Sequence, residues 1–99
     1  MLDALTADDF RPHIGAAFRL TPAEGEAFVA VLATVTDYAV SAGAPRPPFA
    51  LAFRAPADTA CGQGMYRVER DGADPLEIFL VPIGPDPESD GMLYEASFG

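Results

Sequence analysis

Nine glycines and ten prolines, distributed between short apolar runs rather than pooled in one tract, constrain this 99-residue chain more than any other feature. Each proline fixes φ and lacks an N–H, and each glycine frees the backbone to turn, so no long helix can pass through such spacing. Short segments with turn signals between them are the pattern of a β-rich domain. No internal repeat and no Ser/Gly linker interrupts it. We therefore expect a single domain over residues 1–99, a length that allows one core and no second.

The helical signal is confined to the N-terminus. Thr6-Ala7-Asp8-Asp9 reads as an N-cap followed by acidic residues in the first turn, and Pro12 and Gly15 close the helix within two turns. Leu2, Leu5 and Phe10 are its expected packing side. From Ile14 to Leu20 the period becomes two. Thr21-Pro22-Ala23-Glu24 imitates a capping box, but Gly25 and the β-branched Val29, Val31, Thr34, Val35 and Thr36 favour a strand over Glu26 to Thr36.

Ala44 to Pro48 must be extended, and it delivers the chain into a strand with Phe49, Leu51 and Phe53 on one side. Further strands follow at Met65 to Arg70, at Leu76 to Val81 after the Asp71-Gly72 turn, and at Leu93 to Phe98. The nearly unbroken apolar run Leu76 to Val81 predicts a strand central in the sheet. The last strand is expected at an edge or closing seam. The predicted fold is all-β: a small six-stranded antiparallel barrel or two-layer sandwich with one short N-terminal helix. The barrel is preferred because closure hides edges.

Fifteen acidic residues against six basic ones give a net charge of −9. A chain this acidic cannot track a phosphate backbone, so nucleic acid is not an expected partner. The six cations are all arginine. One cysteine, Cys61, closes no intramolecular disulfide, the first ten residues are not a secretory signal, and the longest apolar stretch, Ala27 to Val35, is too short for a bilayer span. A cytoplasmic protein without a membrane partner is the expectation.

Arg46-Pro47-Pro48-Phe49, Gln63-Gly64-Met65-Tyr66, Phe79-Leu80-Val81-Pro82-Ile83-Gly84 and the closing Tyr94-Glu95-Ala96 with Phe98 carry a resemblance over essentially the whole chain. It resembles an uncharacterised bacterial family of small β-rich domains of unknown function, domain of unknown function 6916. The resemblance implies a strand over Glu26 to Thr36 and a role beside phage-tail-like fibre or collar proteins. It implies no catalytic or binding residues.

Chemistry-bearing patterns are few. Asp86-Pro87-Glu88-Ser89-Asp90-Gly91 places carboxylates at alternate positions before a glycine, as in the first half of a calcium loop. The closing bidentate position is Ser97, two prolines stiffen the approach and no helices flank it. We expect a solvated acidic hairpin loop and no metal site, with Asp86, Glu88 and Asp90 the nearest approach to one. His13 has no second histidine or paired nucleophile, and Ala60-Cys61-Gly62 has no basic neighbour to activate the thiol.

Gly62-Gln63-Gly64 lacks the lysine and helix of a phosphate cradle, so no cofactor is expected. Arg46, Arg54, Arg67 and Arg70 are read first as charge balance for Glu69, Glu77 and Glu95. In a second reading Arg54 and Arg67, with Gln63 and Tyr66, line a barrel mouth that accepts a carboxylate or glycan.

Without a catalytic constellation, and with seven Phe and three Tyr exceeding what a small core hides, the expected function is a non-enzymatic interaction or structural module. It would act on a protein partner or as a homo-oligomer, accessory to a phage-tail-like or fibre assembly. The alternative is a small-ligand-binding barrel. An enzyme using His13 comes third.

Overall fold

A computed structural model of the chain describes residues 6–38, 48–56 and 62–98. Leu2, Leu5, Arg46, Cys61 and the Ala44 to Pro47 connector lie outside the described residues. The helix starts as its cap predicts: the Asp9 carboxylate accepts the Thr6 backbone N–H at 2.7 Å. One turn of α-helix, α1 (Ala7–Phe10), passes into a 3-10 turn over Arg11–His13 that Pro12 can start but not extend.

Six strands follow: β1 (Ala17–Pro22), β2 (Phe28–Asp37), β3 (Phe49–Ala55), β4 (Gly64–Glu69), β5 (Leu76–Pro85) and β6 (Met92–Phe98). They close into an antiparallel barrel in the order β1-β2-β3-β6-β5-β4, so the barrel rather than the sandwich is realised. The chain makes two three-stranded meanders with strands of 6, 10 and 7 residues in each. Exchanging β1 with β4, β2 with β5 and β3 with β6 leaves every pairing unchanged. In each meander the ten-residue strand carries a bulge against its third strand, between Leu32 and Thr34 and between Pro82 and Gly84. Bulges of this kind bend and twist a strand enough to close a small barrel.

Alternation decides what lies inside. Phe18, Leu20, Ala30, Leu32, Leu51, Phe53, Val68, Ile78, Leu80 and Ala96 point into the barrel and are buried. An aromatic trio closes each end. Phe49 stacks on Phe98 with ring centroids 4.6 Å apart, and Phe10 of the helix covers both at 6.1 Å. At the other end Phe28, Tyr66 and Tyr94 meet at 5.7 to 6.2 Å. The interior is thus filled by the chain's own side chains, as expected of a barrel this narrow. No helix among the described residues is long and apolar enough to cross a membrane.

Three expectations are corrected. Ile14 is not in the first strand: it sits in a turn, half exposed, because the 3-10 turn runs to His13 and Gly15 takes φ +91° before β1 begins. The last strand is no edge, since β6 pairs with β3 along its whole length and with β5 on its other side. The apolar run in β5 is not buried on both faces. Ile78 and Leu80 point inward while Phe79 is 49% exposed on the outer wall, and β5 continues to Pro85, into the segment expected as loop.

Candidate functional site

The β5–β6 connection is organised by Asp86. Its carboxylate accepts the Glu88 backbone N–H at 3.0 Å and the Ser89 hydroxyl at 2.7 Å, and it pairs with the Arg54 guanidinium on β3. The Asp86 backbone N–H donates to the Gly91 carbonyl at 2.8 Å, which closes the loop. Asp86 is therefore buried, 4% exposed, and the solvated-loop expectation is corrected at this residue; Glu88, 3.8 Å from Arg54, and Asp90 remain exposed. An aspartate between two prolines forms the local turn its side chain favours, and the turn brings it onto the Arg54 fork.

The bonds from Glu88 N–H and Ser89 hydroxyl hold Asp86 below its usual carboxylate range, with burial opposing and Arg54 adding to them. A carboxyl depressed in the folded state stabilises the fold above its unfolded pKa, near 4, and ceases to as pH falls through the lower folded value. Thermal melts from about pH 7 to about pH 2 test this. The native chain should lose stability steeply only below about pH 4, whereas Asp86→Asn should melt lower at neutral pH and respond less to acid.

The residues expected to converge at a barrel mouth do not. Arg54 and Arg67 lie on the outer faces of β3 and β4, which stand three strands apart in either direction around the ring. Arg54 is committed to Asp86, and Arg67 lies 3.6 Å from Glu69 and opposite Glu77 in register. Tyr66 points inward and its hydroxyl donates to the Gly62 carbonyl at 2.6 Å. Gln63 is exposed and borders, with Tyr66, a shallow depression between the β1–β2 and β3–β4 connections. Only Gln63 and Tyr66 are brought together.

Nor do Asp86, Glu88 and Asp90 form a ligand set: no group of three or more His, Cys, Asp or Glu positioned for a metal occurs among the described residues. His13, half-buried in the 3-10 turn, has no side-chain hydrogen bond among the described residues. Arg19 and Arg70 form no ion pair among the described residues and border one depression between β1 and the β4–β5 turn. Glu69 and Asp71 on the same rim offset their charge.

What sequence reasoning missed is the outer wall of β4 and β5. Met65 stands directly opposite Phe79 across the two strands, and both are exposed, 46% and 49%. Val81, half-buried, and Ile83, half exposed, continue the row at two-residue steps along β5, and the bulge after Pro82 then brings Gly84 opposite Leu93. The signal was the run Phe79-Leu80-Val81: in a barrel one face of every strand meets solvent, so an apolar run must put apolar groups outside. The expected surplus of aromatics over core is corrected: Phe10, Phe18, Phe49, Phe53, Phe98, Tyr66 and Tyr94 are buried and Phe28 packs against them, which leaves Phe79 on this wall and Tyr38 after β2 as the exposed aromatics.

The model of one family, described as a domain of unknown function (DUF6916), matches residues 5–98. No curated protein and no solved structure matches the chain.

Proposed function

We propose that this chain, which belongs to the DUF6916 family, is a non-enzymatic β module that works by protein contact, as an accessory or subunit of a larger assembly. A phage-tail-like or fibre assembly in a cytoplasmic setting is the context we favour. The observation that carries this reading is the Met65–Phe79 pair on the outer wall. A contiguous exposed apolar row on a small acidic domain raises solubility problems unless a partner covers it. The ligand-barrel alternative needs interior space that Leu51, Phe53, Tyr66 and Tyr94 occupy.

Size-exclusion chromatography with light scattering, followed by affinity capture from native lysate, tests the proposal. A stoichiometric complex is the expected result. A strict monomer that captures nothing would contradict it.

A further inference from the structure

We propose that the outer wall of β4 to β6 docks a cationic, amphipathic protein segment, one that sets Lys or Arg side chains around an apolar ridge. This rests on the interaction reading above and names its surface and the chemistry of its partner. Four observations lead there.

The first is the apolar row itself, Met65, Phe79, Val81 and Ile83. The second is the placement of two carboxylates beside it. Glu77 precedes Phe79 by two residues on the same face of β5, and Glu95 stands directly across from Val81 on β6. Neither forms an ion pair among the described residues, since Arg67, the cation nearest in register, lies against Glu69. Glu95 is only half exposed, between Ala52 on one side and Val81 on the other, so its charge is partly walled by apolar groups. A cation delivered there acts in a less screened setting than at an open surface.

The third observation is closure. Each of the six strands has a partner on both sides, although Leu76 to Leu80 of β5 pair only with β4 and Val81 to Pro85 only with β6. The outer wall of a closed ring presents side chains rather than backbone, so an occupant lying on it binds through side chains. The fourth is net charge. At −9, a second copy is repelled as a whole on approach, and on this wall only its Arg67 could offset Glu77 and Glu95. Charge complementarity therefore selects a basic partner over a second copy.

The test uses helical peptides of Leu and Lys, with Glu-for-Lys and Ser-for-Leu counterparts, titrated into the whole chain and followed by NMR. The Leu/Lys peptide should move the resonances of Met65, Phe79 and Val81, and its binding should weaken about tenfold or more in Phe79→Ser, the loss typical of a central contact residue. Phe79→Leu should retain most of the affinity, and Glu77→Gln with Glu95→Gln should weaken binding and flatten its salt dependence. The two counterpart peptides should bind far less. An unchanged melting temperature in Phe79→Ser shows that folding is not the cause.

Resonance changes centred on another wall, equal binding by Phe79→Ser, or a dimer built on this face would each overturn the proposal. Lysate capture with native and Phe79→Ser baits separates its failure from failure of the broader reading. A partner held equally by both baits contradicts this surface alone, and a native bait that captures nothing contradicts the interaction role itself.

Discussion

Phe49→Ala should destabilise the fold by about 3–5 kcal/mol, the range for truncating a buried phenylalanine, out of a total of roughly 5–15 kcal/mol for a domain of this length. Phe49 is 1% exposed, stacks on Phe98 and supports Phe10, so its removal opens the end of the barrel that the helix covers. The same change at Phe79 should cost less than about 0.5 kcal/mol, because its ring already faces water. Urea melts of the two variants measure this contrast. Equal losses would mean that Phe79 is a core residue and that the outer wall is wrongly placed.

Gly91→Ala should be the most damaging single-methyl addition among the described glycines. A Cβ at this position would lie 2.0 Å from the Ala55 carbonyl oxygen and 3.3 Å from its carbon, contacts with backbone that no rotamer change relieves. The β5–β6 hairpin must move away from the end of β3, which pulls Asp86 off Arg54 and loosens the bond from the Asp86 N–H to the Gly91 carbonyl. Overpacking typically costs about 1–3 kcal/mol, and a clash with fixed backbone belongs at or above the upper end. Gly72→Ala is the control: its Cβ would meet open space, so only the strain of φ +78° applies. Urea melts should rank Gly91→Ala well below Gly72→Ala. The reverse order would show that the hairpin is not seated against β3.

Local pattern was legible where one face of a strand alone is apolar. Phe49, Leu51 and Phe53 announced β3, Tyr66 and Val68 announced β4, and Thr6 with Asp9 announced the helix, because alternation and capping are short-range properties. Closure was preferred on general grounds, but the pairings that achieve it, β1 with β4 and β3 with β6, join segments about 40 residues apart or more and leave no local trace. The β5 run misled for a related reason. Burial on both faces and an apolar outer wall give the same letters, and only the ring of strands tells them apart.

Asp86 was illegible for a different reason. In an acidic, proline-flanked stretch it looks like its solvated neighbours, and its burial depends on Arg54, 32 positions earlier. The expected Arg54 and Arg67 pocket failed on the same point. Both arginines face outward as alternation requires, yet the barrel sets them on opposite walls.

Hydroxyl-radical footprinting of the free chain and of its complex with a captured partner tests the central claim most directly. In the free chain Met65 and Phe79 should react readily while Phe49, Phe53 and Tyr94 stay protected, matching their exposure. In the complex Met65 and Phe79 should become protected together, with Ile83 beside them. Equal labelling of Met65 and Phe79 in the free and bound chain, with protection appearing on another wall, would contradict the account.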